Sequence, residues 1–184
     1  MKSSYLARAG LIAAVYAAAS VLSLTVLQGL SWGPIQFRIS ECVCVLALFF
    51  PEAPAGLAIG CFIANLINIP LSGLGFLGLF DVIFGSLATL LAALWIRHFR
   101  NHIVVALLGP AIFNAVIVSA YLPLLCASFG FYTIPFTSIS IEGAYGLMYL
   151  FGFIALFIGE FAVMFVLGLP LARALKHTQL CEEQ

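Results

Sequence analysis

Seven charged or amide side chains interrupt the long apolar stretches of this sequence, and they are its candidates for binding a solute. Such groups are costly at membrane depth, so each one faces a cavity, a bundle interior or a partner and is a site candidate by default. They are Arg38, Glu41, Asn65, Asn68, Asp81, Asn114 and Glu160. On the helix map below they gather between the midplane and the outer side, which predicts a cavity that opens outward.

The pair Glu160 and Asn114 carries the most specific chemistry. Glu160 has the apolar neighbours Phe157, Ile158 and Phe161, so its carboxylate must be paired, protonated or wetted by a cavity. A ligand with several N–H groups would meet that need, because a carboxylate accepts two hydrogen bonds side by side and an amide both donates and accepts. The pair suits the edge of a planar, guanine-like heterocycle, which aromatic residues, 14% of the chain, would sandwich.

The other candidates have structural alternatives. Arg38 and Glu41 are three residues apart and would form an ion pair on one helix face at a helix mouth. Asp81 begins a predicted span, where a carboxylate stabilises the helix N-terminus. Either role would explain these residues without a ligand.

Enzyme signatures are absent from the sequence. It contains no HExxH zinc pair, no GxSxG nucleophile turn and no GxxxxGK[ST] phosphate loop. The histidines, at 98, 102 and 177, fall in segments away from the acidic and amide residues. We therefore predict no catalytic residues, metal or cofactor, and any ATP-driven action would need a separate protein.

The composition requires lipid around these residues. The chain of 184 residues is 64% hydrophobic and 8% charged, with a mean hydropathy of +1.20, whereas soluble domains carry about a quarter charged residues. A formal net charge of zero argues against a nucleic-acid partner. We predict one all-α membrane domain over residues 1–184.

Hydropathy and the positions of proline and glycine predict six spans. They cover residues 5–30, 39–50, 55–69, 79–99, 103–125 and 144–175. The second and third are short and have no hydrophilic loop between them, so one kinked span is an alternative. With six spans, three basic clusters share one face, which the positive-inside rule makes cytoplasmic, together with both termini. These clusters contain Lys2 and Arg8, Arg97 and Arg100, and Arg173 and Lys176.

Small residues repeat every four positions in two spans and predict close helix packing. In the third span they are Gly56, Gly60 and Ala64, which fit packing inside the bundle. The first span has a double stripe, broad enough to contact one helix of the chain and a second protein as well. This double stripe consists of Ala9, Ala13 and Ala17 beside Gly10, Ala14 and Ala18.

Several runs of residues, in order along nearly the whole chain, resemble the QueT family. They are QFRISE (36–41), FFPEA (49–53), GCFIANL (60–66), DVIFGSLAT (81–89), PAIFNA (110–115), GE (159–160) and GLPL (168–171). The resemblance implies a substrate-binding S component of an energy-coupling factor (ECF) transporter in the bacterial cytoplasmic membrane. The family is associated with queuosine and its precursors, which share a 7-deazaguanine ring. It also implies six helices with cytoplasmic ends.

The same resemblance implies partners. S components dock on a membrane coupling subunit that binds two ATPase subunits, and the whole S component topples to deliver its solute. The stripes Ala13-x-x-x-Ala17 and Ala14-x-x-x-Ala18 resemble the family's docking motif. Glu160 and Asn114, supported by Asn65, Asp81, Glu41 and Arg38, are then expected to bind the solute. The aromatic loop 129–141 exceeds the family pattern and is a candidate lid, within the range 126–143.

Three alternatives remain open from the sequence. One is an S component for another vitamin or a nucleobase. A second is a membrane enzyme that uses Glu160 or Asp81 for proton transfer. A third is a self-sufficient secondary carrier, for which an inverted repeat is expected and none is convincing here.

Overall fold

The structure, a computed structural model, describes residues 2–26, 38–73, 75–128 and 145–178, and this part of the chain is helical without strands. We number its six helices in chain order. They are α1 (Lys2–Val26), α2 (Ile39–Leu48), α3 (Ala53–Ser72), α4 (Gly75–His98), α5 (Ile103–Ser128) and α6 (Tyr145–Lys176). The predicted all-α class and the count of six helices are confirmed for the described residues.

Five of these helices are long and apolar enough to cross a membrane: α1, α3, α4, α5 and α6. The prediction that residues 39–50 form a membrane-spanning helix is wrong. The ten residues of α2 make a 3₁₀ helix, which at about 2.0 Å per residue reaches roughly 20 Å, short of an apolar core of about 30 Å. The alternative of one kinked span is not what the structure has either, since a turn over residues 49–52 separates α2 from α3.

A proline lies at the start of α3 and a glycine at its end, as expected from the sequence, but the helix is longer than predicted. Pro54 lies in the first turn, where its missing N–H removes no helical hydrogen bond. The predicted end at residue 69 is too early, because the helix continues through Pro70 to Ser72. It ends at Gly73, whose φ of 71° is a left-handed conformation that glycine adopts without strain.

Helices α1 and α3 pack closely and run parallel. An ideal Cβ on Gly56 would lie 2.6 Å from the carbonyl oxygen of Ala9, and one on Gly60 would lie 2.6 Å from that of Ala13. Both contacts advance by four residues in the same direction, which makes the helices parallel. The prediction that the small residues of α3 serve packing inside the bundle is therefore confirmed. The chain must return between the two helices, through the segment that contains α2.

From α3 to α6, helices that follow one another along the chain are antiparallel, because in each pair the contacting residues advance in one helix as they recede in the other. The contacts are Cys61–Thr89 and Asn65–Asp81 between α3 and α4, Gly109–Ala92 and Val105–Trp95 between α4 and α5, and Ser119–Gly152 and Asn114–Glu160 between α5 and α6.

Two apolar clusters form the core, and the polar candidates lie at their boundary. One cluster contains Leu107 of α5 and Met164 of α6, and the other contains Val118 of α5 and Leu156 of α6. On both helices the polar residue falls between the two clusters: Asn114 on α5, and Glu160 on α6. The fold thus encloses a polar layer between two apolar ones.

Candidate functional site

Glu160 and Asn114 meet across α5 and α6, as their residue types predict. The amide nitrogen Nδ2 of Asn114 donates to Oε1 of Glu160 at 3.3 Å, and the two residues are 1% and 0% exposed. Oε2 of Glu160 and Oδ1 of Asn114 have no hydrogen-bond partner among the described residues. Buried acceptors without partners are expensive, so this pair can accept hydrogen bonds from an incoming donor.

Glu41 is fully buried and accepts two hydrogen bonds, one from α1 and one from its own helix, α2. The hydroxyl of Tyr16 on α1 donates to Oε1, and the thiol of Cys44 on α2 donates to Oε2 at 3.2 Å. The alternative of a direct Arg38–Glu41 ion pair is therefore not the arrangement found. Glu41 instead joins α2 to α1.

Arg38 belongs to a hydrogen-bond chain that crosses α3 and α4. Its Nη2 donates to Oδ1 of Asn65 at 2.8 Å, and Nδ2 of Asn65 donates to the carbonyl oxygen of Asp81 at 2.7 Å. The hydroxyl of Tyr121 on α5 donates to Oδ1 of Asp81 at 2.6 Å. These hydrogen bonds hold the guanidinium of Arg38 and the carboxylate of Asp81 in place.

Asp81 does not cap a helix, in contrast to the alternative from the sequence. A helical turn over residues 75–80 precedes it, and Asp81 opens a π-helical segment, Asp81–Gly85, inside α4. Such segments are frequent at functional sites. Gly85 closes this one, and a Cβ there would lie 3.0 Å from Nδ2 of Asn65, 3.8 Å from the Tyr121 hydroxyl and 3.9 Å from Nη1 of Arg38. The glycine keeps space open beside these polar groups.

Electrostatic interactions connect the pair of Glu160 and Asn114 to the residues around Arg38. Glu160 interacts with Glu41 and with Arg38, and Arg38 interacts with Asp81. All six predicted binding residues therefore belong to one group that four helices and the start of α2 supply. Four of them are buried, and Arg38 and Asp81 are half-buried. Asn68, the seventh candidate, lies one turn beyond Asn65 and has an unpartnered, buried Oδ1.

Sequence reasoning missed the residues that hold this group in place. Tyr16 and Tyr121 each bind a carboxylate, and Cys61 accepts hydrogen bonds from Asn65 at 3.4 Å and from Thr89 at 3.3 Å. Buried phenol hydroxyls usually have a partner, which is the one signal that would have flagged the tyrosines. Cys61 is fully buried and, through these two hydrogen bonds, is more than an apolar filler.

Stacked aromatic rings lie next to two residues of the site, Asp81 and Glu160. Tyr121 stacks with Phe80 at a centroid distance of 5.8 Å, and on α6 Phe157 stacks with Phe153 and Phe161 at 6.2 Å each. Phe157 lies three residues before Glu160 and is half-buried. The expected aromatic sandwich of a bound ring remains a prediction.

The double stripe of α1 divides between two faces. Ala13 is 5% exposed and packs on Gly60 of α3, whereas Ala14 and Ala18 are exposed and Ala17 is half-buried. A Cβ added to Gly10 would have no atom within 4 Å. Of the four predicted docking residues, Ala14 and Ala18 are thus the accessible ones in this conformation.

The candidate lid falls almost wholly outside the described residues. Residues 126–128 are the last of α5, and residues 129–143 are not described. Its role stays a prediction.

The apolar spans and the enclosed acid–amide group define a multi-pass membrane protein with an internal polar site. The model of the QueT transporter family matches residues 6–177, and the chain belongs to this family. No curated protein and no solved structure matches the chain. The family assignment confirms the predicted class, a transporter and not an enzyme, and it removes the alternative of a membrane enzyme.

Proposed function

We propose that this chain is the S component of an ECF transporter and that it captures a 7-deazaguanine compound: queuosine, queuine, preQ1 or preQ0. One observation carries the solute assignment. The buried pair Glu160 and Asn114 holds two acceptor atoms without partners, and a guanine-type ring presents an N–H beside an exocyclic amino group. The carboxylate of Glu160 accepts hydrogen bonds from these two donors, and Oδ1 of Asn114 is a further acceptor at the edge of the ring.

The direction of the helices supports cytoplasmic termini. Since α1 and α3 are parallel and α3 to α6 alternate, α1 begins at the end of the bundle where α6 finishes. The same end holds the ion pair between Arg8 and Glu52, with 3.6 Å between Nη1 and Oε1, and Arg97 interacts electrostatically with Glu52. This concentration of basic residues favours the cytoplasmic side of a bacterial membrane. Asn65 and Asp81 then lie toward the outer side.

Docking on a membrane coupling subunit is the partner role that fits the exposed face of α1, which contains Ala14 and Ala18. We predict that Ala14→Leu combined with Ala18→Leu abolishes co-purification with the coupling subunit and its two ATPases, because bulky side chains prevent close helix approach. Solute binding by the isolated chain should stay within about twofold, since neither alanine contacts the site. Pull-down and calorimetry measure the two effects.

The matched control for that double variant is Ala120→Leu, which adds the same side chain to an exposed position of α5. It should co-purify as the wild type does. Normal co-purification of the Ala14/Ala18 double variant would contradict the docking surface.

Calorimetry on the purified chain with queuosine, queuine, preQ1 and preQ0 tests the solute. We expect saturable binding of at least one of the four. Binding of guanine or of an unrelated vitamin, with no response to these four, would support the alternative solute class and overturn the 7-deazaguanine assignment.

A further inference from the structure

The site contains three carboxyl groups and one guanidinium. Three carboxylates, of Glu41, Asp81 and Glu160, interact electrostatically with a single guanidinium, that of Arg38. If all are ionised, the formal sum is one positive against three negative charges. Glu41 and Glu160 are fully buried, and buried charges without counter-charges are strongly unfavourable. Ionisation of more than one of these carboxyl groups therefore calls for a further cation, which a ligand can supply.

The hydrogen bonds show which carboxylate oxygens are available for that ligand. Both oxygens of Glu41 are occupied, by Tyr16 and Cys44. Glu160 uses Oε1 for Asn114 and leaves Oε2 without a partner. Asp81 is half-buried and accepts from Tyr121 through Oδ1, and no hydrogen bond to its Oδ2 is found among the described residues. The two available oxygens lie on different helices, α6 and α4, and so can bind two different parts of one ligand.

Arg38 does not supply this further cation. Its Nη2 is committed to Asn65, which holds the guanidinium beside the amide. One cation against three anions still leaves room for a second cation. The two carboxyl groups are separated along the bundle, because their partners on α5 are Asn114 for Glu160 and Tyr121 for Asp81. These partners are seven residues apart on the helix, about two turns.

We propose that the site selects ligands with a protonated amine, which Asp81 binds as its counter-ion while Glu160 binds the ring edge. This inference rests on the proposed function and narrows it. Queuosine, queuine and preQ1 carry an alkylamine on the substituent of the 7-deazaguanine ring, and such amines are protonated at neutral pH. PreQ0 carries a neutral nitrile at that position and is expected to be a poor ligand.

Calorimetry with a charged and a neutral ligand on matched variants tests the assignment. Wild-type protein should bind preQ1 at least about 10-fold more tightly than preQ0. Asp81→Asn should weaken preQ1 binding by about 10- to 100-fold, as expected for a lost charged hydrogen bond, and preQ0 binding by less than about threefold. Glu52→Gln, which removes a buried carboxylate at the other end of the bundle, should leave the ratio of the two affinities unchanged.

A second ligand pair needs no variant and covers the case in which Asp81→Asn does not fold. Acetylation of the preQ1 amine keeps the ring and removes the charge, so acetylated preQ1 should bind the wild type as weakly as preQ0 does. Equal affinity for preQ1, acetylated preQ1 and preQ0 would overturn the selection for amines and leave the proposed function standing. An equal loss of both ligands in Asp81→Asn would overturn the role of Asp81. Failure of all four 7-deazaguanines to bind would overturn the proposed function itself.

Discussion

Glu160→Gln should weaken the binding of every 7-deazaguanine ligand by roughly 1.5–3 kcal/mol, the value of a charged hydrogen bond, or about 10- to 150-fold in affinity. The glutamine keeps the size of the side chain but replaces one acceptor oxygen by a donor group that opposes the ring N–H groups. Because Glu160 is 0% exposed, water cannot substitute for the lost partner. Calorimetry with preQ1 and with preQ0 should show losses of similar size.

The stability of the unliganded variant distinguishes a binding role from a structural one. Replacing a buried carboxyl group whose Oε2 has no partner among the described residues relieves a cost in the empty protein, so the melting temperature of unliganded Glu160→Gln should not fall below the wild-type value. Glu52→Gln is the matched control and should bind both ligands normally. Unchanged affinity in Glu160→Gln would remove Glu160 from the site.

Gly60→Ala should destabilise the protein by about 1–3 kcal/mol, the usual range for overpacking. An ideal Cβ at this position lies 2.6 Å from the Ala13 carbonyl oxygen and 3.0 Å from its Cα. Both are backbone atoms, so α1 and α3 must move apart rather than rotate a side chain. That movement also pulls Tyr16, three residues after Ala13 on α1, away from Glu41. Thermal unfolding in detergent measures the loss.

Gly10→Ala is the control for this variant, since it makes the same change in α1 at a position where a Cβ meets nothing within 4 Å. Its melting temperature should equal or slightly exceed that of the wild type, because alanine favours helix more than glycine. Equal stability of Gly60→Ala and the wild type would mean that the parallel α1–α3 contact is not tight.

The sequence predicted the components of the polar site better than their bonds. The cost of a polar group at membrane depth is a property of single residues, and it singled out Glu160, Asn114, Asn65 and Asp81 without any contact information. Which groups pair depends on helix register, which hydropathy does not encode. The partners Tyr16 and Tyr121 were therefore missed, because aromatic residues are common in apolar spans.

Local irregularities were also beyond prediction from the sequence. A ten-residue apolar run gives no period that distinguishes a 3₁₀ helix from a short span, so α2 was expected to be a full crossing. Asp81 was interpreted as a helix start because a glycine-rich stretch precedes it, yet residues 75–80 already form helical turns. In both cases tertiary packing decided the backbone conformation.

The stripes of α1 illustrate what a repeat can predict. Spacing of four identified two adjacent faces and suggested two neighbours, but nothing in the spacing assigned a neighbour to each face. The close approach of Gly60 to Ala13 assigns one face to α3. The exposed face with Ala14 and Ala18 is the one that we assign to a partner.

Uptake into proteoliposomes tests most directly whether this chain is a binding subunit that depends on a separate ATP-driven module. Labelled preQ1 would be offered to vesicles that contain the chain alone, and to vesicles that contain the chain with its coupling subunit, the two ATPases and ATP. We predict that the chain alone binds preQ1 without accumulating it, and that accumulation requires the complete complex and ATP. Accumulation by the chain alone would show a self-sufficient carrier and contradict this function.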